Sequence, residues 1–91
     1  MDRKTHRQLY REFLNKLIEA RKSAKLSQSE AARLLGKHQS YISKCESGER
    51  RVDIVELQIF ASLYAKPLWF FEVTIPCLDS LSISEDNTIN N

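Results

Sequence analysis

Ninety-one residues, 42% apolar and 29% charged, have the balance of one small globular domain with a modest core. No apolar run approaches the about 18 residues of a membrane span. Met1-Asp2-Arg3-Lys4 leads into no hydrophobic signal region, so a cytoplasmic location is expected. The net charge of +2 hides an asymmetry: residues 1–51 carry 13 Lys and Arg against 6 Asp and Glu, while residues 52–91 carry one lysine against 6 acids. A basic half beside an acidic half fits one face built for a polyanion. Charge alone leaves open a salt-bridged surface with no partner.

The first 8 residues read as a basic N-terminal arm. From Leu9 to Ala24 apolar residues recur every three or four positions (Leu9, Tyr10, Phe13, Leu14, Leu17, Ile18, Ala20, Ala24), with Arg11, Glu12, Lys16, Glu19 and Lys22 between them. That pattern predicts a long amphipathic helix. Ser27, with Glu30 three residues on, is a capping box and starts a short helix over Gln28–Leu35. Gly36 falls where a helix ends in a left-handed residue. A third helix is predicted over Gln39–Ser47, with Ile42 and Cys45 inward and Gly48 as its stop. Asp53 with Glu56 is a second capping box, opening a fourth helix that buries Leu57, Phe60, Ala61 and Tyr64. Pro67 suits the first position of a fifth helix holding Leu68, Trp69, Phe70 and Phe71. The domain is thus expected over residues 9–75. Residues 76–91 form an acidic, polar tail, with a short strand through Leu81 and Ile83 and disorder from Glu85 to Asn91.

Two short helices joined by a tight glycine turn describe a helix-turn-helix. Its geometry needs a small residue at the helix crossing, and Ala32 fits. It needs a positive φ in the turn, and Gly36 adopts one without a Cβ penalty. It needs an apolar anchor on the second helix, and Ile42 provides one. At these residues the chain resembles a known family, the Cro/repressor-type helix-turn-helix regulators, also called the XRE family. The resemblance covers Ile18–Phe71. It is densest over Ile18-Glu19-Ala20-Arg21, Leu26-Ser27-Gln28-Ser29-Glu30-Ala31-Ala32-Arg33-Leu34-Leu35-Gly36 and Gln39-Ser40-Tyr41-Ile42-Ser43-Lys44-Cys45-Glu46-Ser47-Gly48-Glu49-Arg50-Arg51. Two positions depart from the family pattern. Lys37 stands where a small aliphatic residue is usual, and Cys45 where a branched or aromatic one is usual.

The resemblance implies an all-α, five-helix, lambda-repressor-like domain with its third helix in the major groove of double-stranded DNA. In that motif the N-terminal end of the reading helix meets the bases. Gln39, Ser40, Ser43 and Lys44 are then the expected base contacts, since Gln pairs with adenine, Lys with guanine and Ser with several bases. Lys37, His38, Tyr41, Arg50 and Arg51 are expected on the DNA backbone, where contacts position without specifying. Gln28, at a helix N-terminus, is expected on a phosphate and as a buttress for the first residue of the reading helix. The resemblance further implies a structural Arg21–Glu46 ion pair. For each of the exposed groups an ordinary solvated side chain is the alternative; for Tyr41 the alternatives are contact with a thymine methyl or packing on the domain.

A helix cannot bury Trp69, Phe70 and Phe71 together. Leu68 and Phe71 are expected inward, which leaves Trp69 or Phe70 as an exposed apolar patch. Family regulators dimerise near this helix, so Trp69 and Phe70 are the expected homodimer contacts, with the tail as an alternative cover. Cys45 and Cys77 are too few and too separated for a disulfide scaffold or a zinc site, and are expected as reduced thiols. No catalytic constellation, metal spacing or phosphate loop is present, so no enzyme activity, cofactor or metal is expected. A separate effector domain is not expected after Pro76. The rival reading is a protein-interaction module, an antitoxin that binds a toxin or another regulator through the aromatic patch. A restriction–modification controller is a further variant of the DNA-reading class.

Overall fold

The computed structural model describes residues 3–75, and among them the chain is all-helical, with no strand. The elements are α1 (Arg3–Ser23), α2 (Gln28–Leu35), α3 (Gln39–Ser47), α4 (Ile54–Leu63) and a 3₁₀ turn (Leu68–Phe71).

Helix α1 buries Leu9, Leu14, Leu17 and Ala20 along one stripe. It begins at Arg3 rather than Leu9, so most of the expected basic arm is helical. A polar turn carries no apolar period, which is why the pattern starts too late. The added turn is supported instead by His6 stacking one turn below Tyr10, with ring centroids 6.4 Å apart. Arg21 and Lys22 sit in the last turn, where cations oppose the helix dipole favourably.

Helix α2 starts as its sequence requires. The Glu30 N–H donates to Ser27 Oγ at 3.0 Å, and the Ser27 N–H donates to Glu30 Oε1 at 2.8 Å. Gly36 closes it with φ +70°, which lets the Lys37 N–H reach Ala32 O at 2.8 Å. The small side chains of Ala31 and Ala32 are fully buried, so α2 and α3 approach closely. Ile42 and Cys45, both at 0% exposure, form the underside of α3. Cys45 packs as a small hydrophobe, and burial pushes its thiol pKa up.

Asp53 and Glu56 form the second capping box, and α4 contributes Phe60 and Ala61 to the core, followed by Tyr64. Leu57 is only half-buried. The opposite side of α4 is also apolar, with Ile54, Val55 and Ile59 exposed. The fifth element is one 3₁₀ turn rather than an α-helix. Phe71 is buried against Phe13, with ring centroids 6.5 Å apart. Leu68 does not face inward as expected; it is 41% exposed. Phe70 takes the covered place instead, edge-on to Phe71 at 5.2 Å and beneath the ammonium groups of Lys16 and Lys66. The larger aromatic surface gains more from cover than a leucine does. Trp69 is 67% exposed. The expectations for Pro76, Cys77 and the tail through Asn91 lie outside the described residues. No described helix is long and apolar enough to cross a membrane.

The two glycine caps differ in what surrounds them. A Cβ at Gly36 would meet nothing within 4 Å, whereas one at Gly48 (φ +88°) would meet Leu14 Cδ1 at 3.0 Å. Gly36→Ala should therefore cost about 1 kcal/mol, from the left-handed backbone alone. Gly48→Ala should cost measurably more. Chemical denaturation of the two variants checks the order; equal losses would show that Leu14 moves aside freely.

Candidate nucleic-acid interface

The outer face of α3 presents Gln39, Ser40 and Lys44 to solvent, with Ser43 half-buried beside them. What fixes that face is a chain of polar contacts behind it. Arg21 in α1 grips Glu46 at the end of α3 in a two-point pair, Nε to Oε2 at 2.7 Å and Nη2 to Oε1 at 3.1 Å. Its third nitrogen, Nη1, donates to Leu26 O at 2.8 Å, which ties down the α1–α2 turn. Both residues are buried, Arg21 at 8% exposure and Glu46 at 6%, so the pair lies where one-sided loss leaves an unpaired charge. Glu46 Oε1 also accepts from Gln28 Nε2 at 3.0 Å. Gln28 Oε1 in turn accepts from Gln39 Nε2 at 2.6 Å.

The result is a relay from α1 through α3 and α2 to the first residue of α3. It orients the Gln39 amide with one N–H used internally. The remaining N–H and the carbonyl oxygen stay free, the donor–acceptor pair that matches an adenine edge. Gln28 thus buttresses Gln39, and it is only half-buried.

His38 is the N-cap of α3: its Nδ1 accepts the Ser40 N–H at 3.3 Å and lies 3.1 Å from Ser40 Oγ. A histidine there does work usually given to Ser, Thr, Asp or Asn. Lys37 is exposed, and its ammonium sits 5.1 Å from the centre of the Tyr41 ring.

Tyr41 packs on the domain, one of the alternatives open to it, and Arg50 is engaged with the protein as well. Tyr41 stacks on Phe60 at 6.2 Å and its hydroxyl donates to Glu56 Oε2 at 3.2 Å. Burial pushes the Tyr41 phenol up to about 12. Arg50 pairs with the same Glu56 oxygen at 2.7 Å and lies 5.0 Å from the Tyr41 ring centre. The Arg50 hydrogen bond, then the Asp53 backbone N–H, hold the Glu56 carboxyl at about 2. Glu56 therefore caps α4, anchors Tyr41 and holds the loop arginine.

Arg51 lies exposed above Tyr10, with Cζ 4.2 Å from the ring centre. The Tyr10 hydroxyl accepts the Val52 N–H at 3.1 Å. Tyr10 was legible only as an apolar helix residue, yet it positions the loop between α3 and α4. Its place beside Phe13 carried no signal of that second task.

Trp69 and Phe70 lie on another part of the domain. Trp69 is open, while Phe70 is half-buried under its two lysines. Among the described residues no cluster of His, Cys, Asp and Glu could hold a metal ion.

A family model described as helix-turn-helix matches residues 17–68, more than half of the chain. No curated protein and no solved structure gives a significant match.

Two outcomes follow from the polar contacts. Glu46→Ala leaves Arg21 buried and unpaired, so it should cost on the order of 3 kcal/mol. The loss should appear as a fall in melting temperature; an unchanged melting temperature would remove the pair's structural role. For Glu56 the folded carboxyl is depressed from its ordinary 4.5 to about 2. Its stabilisation is thus full above 4.5 and is lost as pH falls toward 2. The stability gap between the wild type and Glu56→Gln should close across that window, measured by denaturation at stepped pH.

Proposed function

The chain belongs to the helix-turn-helix family of the Cro/repressor (XRE) type, a family of DNA-binding regulators, and from that premise we propose that it reads a symmetric operator as a homodimer. The carrying observation is the relay from Arg21 to Gln39, which holds the first turn of α3 with a free amide edge outward. In this reading α3 enters the major groove, and Gln39, Ser40, Ser43 and Lys44 meet base edges. Lys37, His38 and Arg51 take backbone phosphates, together with the N-terminus of α2 at Gln28. Tyr41 and Arg50 shape the loop from behind, and Arg50 reaches phosphate only at the expense of its Glu56 contact.

The role is binding without catalysis, in the compartment that holds the DNA. Two copies related by a twofold axis place their reading helices about 34 Å apart, on successive major grooves. Leu68 at 41% and Trp69 at 67% exposure are neighbouring exposed apolar side chains at the 3₁₀ turn, which supports a pairing surface there. The same observation also favours a second reading, in which the patch takes a different protein, such as a toxin. A second chain that co-purifies would mark that case.

Selection from a random duplex pool is the direct test. The expected product is a twofold-symmetric site whose affinity falls steeply with salt, with a slope of about −0.9 per phosphate contacted. Gln39→Ala and Lys44→Ala should each relax one position of the half-site by about 1–3 kcal/mol. Recovery of no motif, with only weak salt-sensitive binding, would overturn operator reading.

A further inference from the structure

Beside the last turn of α3, α1 and the loop after α3 form an open concavity of about 170 Å³. Its walls carry Arg7, Arg11 and Arg51, with Tyr10, Ser47 and Gly48 between them. We propose that this concavity is a phosphate-binding pocket that grips a DNA backbone phosphodiester beside the base-reading contacts, so that α1 belongs to the interface. The proposal rests on the operator-binding reading and adds to it a site and two residues of α1.

The first support is charge without a counterion. Arg7 and Arg11 are one helical turn apart, a like-charge spacing that costs a helix a few tenths of a kcal/mol. Arg51 joins them from the opposite wall. The ion pairs among the described residues are Arg21–Glu46 and Arg50–Glu56, so no described carboxylate neutralises any of the three. Cations that converge without a partner create a standing positive potential, which an anion relieves.

The second support is preorganisation. Arg51 does not swing freely. Its guanidinium lies 4.2 Å from the Tyr10 ring centre, and the Tyr10 hydroxyl holds the next residue by the Val52 N–H at 3.1 Å. Stacking leaves the edge of the guanidinium, where its donors lie, open to a bidentate oxyanion. The C-terminal end of α3 contributes an opposing partial negative charge of about one half. Two carbonyls of that end are occupied: Gly48 N–H donates to Cys45 O at 3.4 Å, and Arg50 N–H at 3.1 Å and Ser47 Oγ–H at 3.2 Å donate to Lys44 O. Three full charges outweigh it.

The third support is position. From Gln39 to Ser47, α3 rises about 12 Å at 1.5 Å per residue. The major groove is about 12 Å wide. With the first turn of α3 on the bases, its last turn, and the pocket beside it, reach the sugar-phosphate wall.

The test uses the full chain and the duplex recovered by selection. Arg7→Gln, Arg11→Gln and the double variant are compared with wild type in binding at several salt concentrations and in phosphate-ethylation interference. The double variant should bind roughly tenfold more weakly, by the same factor on the operator and on a scrambled duplex, with a salt slope shallower by about 0.9. One phosphate whose ethylation blocks the wild type should become silent in the double variant. The selected motif and the melting temperature should not fall away, since neither arginine meets a base or fills the core.

Wild-type binding with unchanged affinity and slope in the double variant would overturn the pocket and leave operator reading standing. A wild-type chain that binds no duplex would overturn both. A titration with inorganic phosphate at constant ionic strength, followed by amide shifts at Tyr10 and Arg51, separates the sources of the anion. Saturable shifts in the wild type, joined to normal duplex binding by the double variant, would assign the pocket to a free phosphate and overturn its role on DNA.

Discussion

The Arg21–Glu46 pair sets the geometry on which the rest of the domain depends. It joins the end of α1 to the end of α3 across the core, and its two hydrogen bonds fix both distance and orientation. A buried ion pair adds little net stability over a well-packed apolar contact, because desolvation offsets most of the Coulomb attraction. Its value here lies in direction. Glu46 has oxygen capacity left after binding Arg21, and it uses that capacity on Gln28, which then holds Gln39. A pair of leucines at the same places would hold the helices together but transmit no orientation to the face of α3.

A second polar centre does the same for the loop after α3. Glu56 starts α4, receives the Tyr41 hydroxyl and pairs with Arg50. One carboxylate thus joins helix capping, the packing of the reading helix and the placement of a loop cation. Tyr10 completes the loop from the α1 side, holding the Val52 N–H and backing Arg51. The two centres explain why so small a core suffices for a defined surface. Apolar burial sets the helix positions, and the two glutamates set what those helices present.

The remaining apolar surface has a different character. Helix α4 is apolar on both sides, although only the side bearing Phe60 and Ala61 is covered, and Trp69 stands open nearby in sequence. Exposed apolar side chains grouped on a helix often mark an interface. This is the physical basis for expecting a partner, and it is independent of the polar contacts behind α3. The molecule therefore divides its tasks: a polar, basic face organised by α1, α2 and α3, and an apolar surface on α4 and the 3₁₀ turn.

Much of this was legible in the residues themselves. Capping chemistry is local, so Ser27 with Glu30 and Asp53 with Glu56 marked two helix starts within a few residues. Glycine at a left-handed position is also local, and Gly36 and Gly48 marked two helix ends. The small residues at the crossing and the register of Ile42 then implied the helix-turn-helix, and with it the candidate reading residues. Where local chemistry gave no mark, the reading failed. Lys25 and Ala65 adopt positive φ without being glycine, the first turn of α1 has no apolar period, and Leu68 lost the covered place to Phe70. Those outcomes depend on what lies opposite, which a linear pattern does not contain. The same holds for the tasks of Glu56 and Tyr10, whose partners are 15 and 42 residues away. The sequence by itself determined the helices and their caps, because each is decided by neighbours within a turn. Only the tertiary structure decided which polar groups meet, because an ion pair or a shared carboxylate exists once distant helices have packed.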